Sequence, residues 1–212
     1  MESAYGDGQY SHKVHVYSLL SDSWKSILNL PSYLCELTSY HGAAPGVFVN
    51  GAIHWILYCR TEGRQILISF DVSSETLSET MKPKRIVDNK FHITNMSTLD
   101  GRLCLLVSEG DKMSLDVWVA KDYRLSESWT LLFTINAQQT SIFRYVRGFK
   151  AVQAFKNGEV LFEKDRSTLV IYDPNSERAR IIKIGGVRKF FLAAIYMPSL
   201  VSPNSIKNAD AE

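Results

Sequence analysis

Three short turns, each leading into an apolar strand, set a period of about 50 residues on this chain. They are Val49-Asn50-Gly51-Ala52, Leu99-Asp100-Gly101-Arg102 and Lys156-Asn157-Gly158-Glu159, with glycines 50 and 57 residues apart. Asn-Gly and Asp-Gly are the strongest short hairpin signals, because both central residues of a type I′ turn need positive φ. The segments after the turns are repeated too. An apolar strand (53–57, 103–107, 160–162) leads to a second strand holding an aromatic (66–71, 114–119, 169–173). A polar turn comes next (73–76, 123–127, 174–177), then a third strand. A partial copy stands earlier, with residues 14–18 as second strand, 21–23 as turn and Trp24 opening the third strand.

The chain therefore holds about three and a half units. Residues 13–17 and 115–119 alternate polar and apolar side chains, the period of a half-buried strand. No segment keeps a 3.6-residue period over three turns. The best helical candidate, residues 142–155, is interrupted by Gly148 and reads as strand. A unit of roughly 50 residues with three or four antiparallel strands is a propeller-blade period, close to the kelch length. A blade has two apolar faces and cannot bury them alone, so neighbours must stack. The expected fold class is all-β: a β-propeller-like array of about three and a half kelch-type blades. Such an array leaves an open edge, so it is expected to be the C-terminal part of a larger propeller. Residues 1–203 are read as one domain, incomplete at its N-terminus, and 204–212 as a disordered tail.

Composition narrows the function. Lys and Arg total 24 against 22 acids among 212 residues. The densest basic cluster is Lys82, Lys84 and Arg85, short of the stripe that phosphate backbones require, so no nucleic-acid partner is expected. Cys35, Cys59 and Cys104 form no CxxC pair. Their odd number and wide spacing fit buried free thiols in a reducing compartment. Residues 1–10 lack an apolar signal region, and the longest apolar stretch, 190–197, is far below the ~20 residues of a membrane helix. A cytoplasmic or nuclear protein with no membrane partner is expected.

No catalytic constellation is written in the chain. His12, His15, His41 and His92 have no metal-ligand spacing, and neither a nucleophile elbow nor a phosphate-cradling glycine loop occurs. The expectation is a protein without enzymatic activity, cofactor or metal. The four tryptophans, Trp24, Trp55, Trp118 and Trp129, fall on repeat strands and read as core. Asp71 and Asp173 read as acceptors for turn amides, and His54 as a hydrogen-bonded structural residue. Loops that mix arginine with aromatics are the candidate protein-binding elements, since both residue types carry binding energy. The candidates are Arg85, Phe91, Arg144, Tyr145, Arg147 and Arg188.

Residues 115–135 (LDVWVAKDYRLSESWTLLFTI) resemble the signature stretch of the F-box-associated domain of plant F-box proteins. Val16-Tyr17-Ser18-Leu19 with Ser23-Trp24, residues 47–55 (VFVNGAIHW), Ile68-Ser69-Phe70-Asp71 and residues 196–203 (YMPSLVSP) are similar to other units of that family. The resemblance spans about residues 10–203. It implies a kelch-like substrate-recognition module of an SCF-type E3 ubiquitin ligase, binding a target protein for ubiquitination. It also implies a Skp-type adaptor and a cullin as partners, reached only through an F-box, and no F-box segment is recognised in this chain. The alternatives are a carbohydrate-binding propeller and a truncated product without ligase function.

Overall fold

The structure, a computed structural model, describes residues 2–6, 9–19, 21–27, 37–39, 46–59, 62–86, 90–110, 113–136, 141–143, 148–183 and 193. They fall in two compact units, Met1–Leu37 with Ile195–Glu212, and Thr38–Ala194.

In the first unit, β1 (Glu2–Gly6), β2 (Gln9–Ser18) and β3 (Ser23–Ile27) form an antiparallel sheet in that order. Tyr17 pairs with Trp24 across β2 and β3, their ring centroids 5.2 Å apart. Trp24 is 71% exposed, so the expectation that it is core is corrected. It projects from a three-stranded sheet where Tyr17, itself exposed, is the aromatic that touches it.

The second unit holds three sheets. The first contains β4 (Leu37–Ser39, with Thr38 and Ser39 in this unit), β5 (Val47–Val49), β6 (Ala52–Cys59), β7 (Arg64–Asp71) and β8 (Thr76–Glu79); β6, β7 and β8 are sequential neighbours, and β5 pairs with β6. The second is a meander of β9 (Phe91–Leu99), β10 (Arg102–Glu109), β11 (Ser114–Ala120) and β12 (Trp129–Asn136). The third repeats it with β13 (Phe149–Ala154), β14 (Val160–Lys164), β15 (Thr168–Asp173) and β16 (Arg178–Ile182). The all-β, propeller-like reading is thus borne out.

Each repeated turn joins a pair of antiparallel neighbours, β5 to β6, β9 to β10 and β13 to β14. A blade therefore begins one strand before its turn, and β5, β9 and β13 are strands that the sequence repeat does not predict. Asn50-Gly51 and Asp100-Gly101 have positive φ at both residues, as type I′ turns require. The third turn differs. Only Gly158 has positive φ, and its N–H reaches the Phe155 carbonyl at 2.9 Å while Phe155 N–H reaches the Glu159 carbonyl at 2.8 Å. That is a type I turn closed by a glycine bulge. Among the described residues of 142–155, Phe149–Ala154 is strand, and Ile142 and Phe143 belong to the 3-10 turn Ser141–Phe143.

The β9–β12 sheet explains the density of its apolar residues. Both of its faces are buried. Leu103, Leu105, Val107, Trp118 and Ala120 pack with Val49, Ala52 and Leu67 of the first sheet. With side chains alternating between faces, the intervening Cys104, Leu106, Leu115, Val117 and Val119 pack with Phe149, Phe162, Val170 and Tyr172 of the third. Phe143 stacks on Phe149 at 4.3 Å and stands edge-on to Phe162 and Tyr172. Cys59 and Cys104 are buried, as expected, and burial pushes the Cys104 thiol up to about 12. Cys35, the closing segment 196–203 and the tail 204–212 lie outside the described residues.

Polar side chains also fasten one sheet to the next. Gln65 of β7 donates its amide to the Ile93 carbonyl at 2.9 Å and accepts the Ile93 N–H at 2.7 Å. The same two-point grip recurs at Ala193: its N–H donates to the buried Glu163 carboxylate at 2.5 Å, and Lys150 donates to its carbonyl at 3.0 Å. Lys150 and Glu163 are register partners on β13 and β14.

Candidate protein-binding surface

The most distinctive stretch of the sequence, β11 through β12, turns out to be a fastening between blades. Asp122 accepts the Arg124 N–H at 3.0 Å and its guanidinium at 3.0 and 3.2 Å, setting the turn after β11. That turn aims Tyr123 inward, where it is 8% exposed and meets His54 of the preceding sheet edge to face. Ser126, in the 3-10 turn Ser126–Ser128, donates to the Lys82 carbonyl at 2.7 Å. The Trp129 indole donates to the Met81 carbonyl at 2.9 Å. Ser126 and Trp129 thereby pin the β8–β9 connection of the preceding blade, and Tyr123 meets its strand β6.

His54 is fully buried, and neither ring nitrogen finds a partner of good hydrogen-bond geometry. The expected hydrogen-bonded histidine is corrected on this point: the side-chain contact of His54 is ring to ring with Tyr123, edge to face. Burial lowers its pKa to about 4, an effect that the nearby Val49 backbone only partly offsets. Trp118 and Trp129 are core, as expected, and Trp55 is half-buried.

Asp71 takes the expected turn role, accepting the Ser73 and Ser74 N–H groups at 2.9 Å each and the Ser73 hydroxyl at 2.6 Å. These donors hold its carboxyl down at about 2. Asp173 does the same with Asn175 N–H at 2.9 Å and the Ser176 hydroxyl at 2.7 Å, which also lower its pKa.

The pinned connection carries one of the six sequence candidates, Arg85, and leads into a second, Phe91. Ile86 is buried and its N–H closes a turn on the Pro83 carbonyl at 2.8 Å, which leaves Lys84 and Arg85 exposed on the outside of that turn. Lys82 runs inward and donates to the Gln65 carbonyl at 3.0 Å; burial lowers its pKa. Phe91, at the start of β9, is half-buried against the core shared by the first two sheets, so its ring is largely used in packing. Arg144, Tyr145, Arg147 and Arg188 lie outside the described residues.

One surface escapes the sequence reading. Phe155, Ile171 and Arg180 line a groove of about 540 Å³ on the third sheet, with Lys156, Asn157 and Glu159 around it. The available signal is the alternation of Arg178, Arg180 and Ile182 along one strand, which by itself marks only a third strand of the repeat. Among the described residues there is no group of three His, Cys, Asp or Glu placed to hold a metal, and no helix long and apolar enough to cross a membrane.

A β scaffold built of stacked repeat sheets, with polar fastenings between them and cations exposed on its connections, defines a propeller-type repeat protein. Residues 2–203 match the F-box associated β-propeller domain, and the chain belongs to that family. It is similar to the F-box protein CPR1 of Arabidopsis thaliana, 27% identical over 201 residues, covering 91% of this chain and 48% of that protein. It is also similar to the F-box/kelch-repeat protein At3g23880 of the same plant, 25% identical over 199 residues, covering 93% and 50%. A third relative, the F-box protein At4g22390, is 32% identical over 133 residues, covering 58% and 32%. The chain spans about half the length, or less, of these curated relatives.

Proposed function

We propose that this chain is the substrate-recognition module of an SCF-type E3 ubiquitin ligase: it holds a target protein while ubiquitin is transferred by other components. The observation that carries this reading is the match to the F-box associated domain over nearly the whole chain. The physical features agree with it. Recognition asks for a stiff scaffold with exposed connections. The sheets are locked by buried apolar faces and by the Gln65 grip on Ile93. The chain itself acts as an adaptor without chemistry of its own, in the cytosol or nucleus. Contact with the Skp-type adaptor and cullin is made through an F-box joined to this domain.

The target-binding residues are proposed to be those of the arginine- and aromatic-rich segments: Arg85 on the β8–β9 connection and Phe91 at the start of β9, with Arg144, Tyr145, Arg147 and Arg188. Arg85 is the best placed, because its turn is fixed from below by Ile86 while its side chain is exposed. The test is quantitative capture from plant-cell lysate on the purified chain, on Arg85→Glu, and on unrelated bait. The reading expects a small set of proteins enriched on the wild type and depleted on the variant at unchanged melting temperature. No enrichment over unrelated bait by a folded chain contradicts it.

A further inference from the structure

The third sheet ends at β16, and among the described residues nothing pairs with the outer side of that strand. Arg178, Arg180 and Ile181 are exposed, Ile181 at 53%. Among the described residues no strand takes up the backbone N–H and C=O groups on that side, the arrangement with which another extended chain can pair. The other two sheets of this unit end differently. β8 is four residues long, and its one charged residue is the acid Glu79. β12 is uncharged, but its register slips where Leu131 and Phe133 oppose Trp118 and Val117, leaving Leu132 as an extra residue. Such a bulge interrupts a pairing edge. β16 keeps an unbroken register from Leu169–Ile182 to Asp173–Arg178, and Lys183 comes directly after it.

The groove lies beside this edge. Val170 and Tyr172 point into the core shared with the second sheet, so Ile171 and its register partner Arg180 face the opposite way. There Glu159 holds the Arg180 guanidinium in two bonds of 3.0 and 3.1 Å, and Phe155, 41% exposed, completes an apolar wall with Ile171.

We infer that the β16 edge and this groove dock an extended acidic segment of a partner protein, which adds to the sheet as a further strand. Backbone pairing supplies the binding, and alternate side chains supply the preference. An acid lies beside Arg178, and two residues on, an apolar side chain reaches the exposed Phe155, beside the buried Ile171. Charge selects the occupant. A second copy of this chain would bring its own Arg178 and Lys183 against the same cations and be repelled, whereas an acidic strand is attracted. The inference rests on the reading of this domain as a protein-binding module and names the chemistry of one partner segment.

The test is fluorescence polarisation with the purified full chain and a labelled nine-residue probe in which glutamates alternate with leucine and threonine. Three comparisons accompany it: a lysine-for-glutamate probe, a probe with prolines at alternate positions, and the double variant Arg178→Glu with Lys183→Glu. Phe155→Ser, at an exposed position, serves if the double variant does not fold. The acidic probe is expected to bind saturably, at least about tenfold tighter than the lysine and proline probes, and to lose about tenfold or more on the variant. Its affinity is expected to fall as salt rises from about 50 to about 500 mM. Equal binding of acidic and lysine probes, undiminished binding of the proline probe, or no saturation by about 1 mM with a folded chain overturns the proposal. So does self-association of the wild type that disappears in the double variant, which would make the edge a contact between copies. Failure of lysate capture with probe binding intact contradicts the ubiquitin-ligase reading alone; intact capture with no probe binding contradicts this inference alone.

Discussion

His54 and Tyr123, on successive blades, meet with ring centroids 4.3 Å apart and planes at 75°. The histidine comes after the Asn50-Gly51 turn of one blade, and the tyrosine sits in the most distinctive stretch of the next. The contact joins two units of the repeat, and burial keeps the imidazole neutral inside it.

That neutrality predicts an acid sensitivity with a defined window. In the unfolded chain His54 titrates near 6.5; in the fold, near 4. As pH falls the unfolded state takes up the proton first. The stability is whole above about pH 6.5, declines toward pH 4, and loses nothing further from this group below that. The linked loss is about 2 kcal/mol at pH 5 and about 3 kcal/mol in full. Asp71 acts in a separate window: its carboxyl is depressed from 3.8 to about 2, so its contribution is present above 3.8 and fades through about pH 2. Urea unfolding at pH 7.5 and pH 5 is expected to show the loss in the wild type and little of it in His54→Phe. Equal pH dependence in the two proteins contradicts the assignment.

The fastening of the β8–β9 connection is predicted to be worth about 1 kcal/mol per hydrogen bond. Ser126→Ala frees the Lys82 carbonyl, and Trp129→Phe frees that of Met81. Both variants are expected to speed amide exchange at Ile86, whose N–H closes the turn carrying Arg85. Unchanged exchange at Ile86 would mean that the turn stands without these bonds.

Gln65 is predicted to matter more than its size suggests. Replacing it with methionine keeps the volume but strands the buried N–H and C=O of Ile93, at a cost of about 3 kcal/mol. A loss below about 1 kcal/mol in denaturant unfolding would show that the grip is incidental to sheet packing.

Much of this architecture was legible in the sequence because hairpin turns and two-residue alternation are local. Asn50-Gly51 and Asp100-Gly101 announced their turn type; Asn157-Gly158 announced a turn but not its geometry, since a glycine bulge uses the same residues. The first strand of each blade escaped the repeat because β5, β9 and β13 are bounded by connections of unequal length. Trp24 and Trp129 look alike in sequence, each preceded by serine. What separates them is burial: Trp129 packs in the core between two sheets, while Trp24 is exposed. The candidate surface was legible at Arg85 and much less so at Phe91, because an aromatic at the start of a strand serves packing and recognition equally well. The β16 edge could not be read at all, since an edge is defined by strand pairing, here among the described residues.

Glycine substitutions separate backbone strain from crowding. Gly51 has φ +79 with open space around an added Cβ, and Gly51→Ala is expected to cost about 1 kcal/mol. Gly148 has φ +87, and a Cβ there would stand 2.0 Å from the Asp165 carboxylate oxygen. Its alanine variant is expected to be the less stable of the two by a further ~1 kcal/mol or more, read as the difference in melting temperature. Equal losses would show that Asp165 turns aside freely.

The central claim is that this domain chooses a protein for ubiquitination. It is tested most directly by joining the chain to the F-box segment of a relative, assembling it with a Skp-type adaptor, cullin and charged E2, and adding the protein that the chain captures from lysate. The account predicts ubiquitin on the captured protein when the joined chain is present, and a marked loss with Arg85→Glu or when the F-box segment is left off. A captured protein that stays unmodified in an assembly active toward free ubiquitin chains, or that is modified equally without this domain, contradicts it.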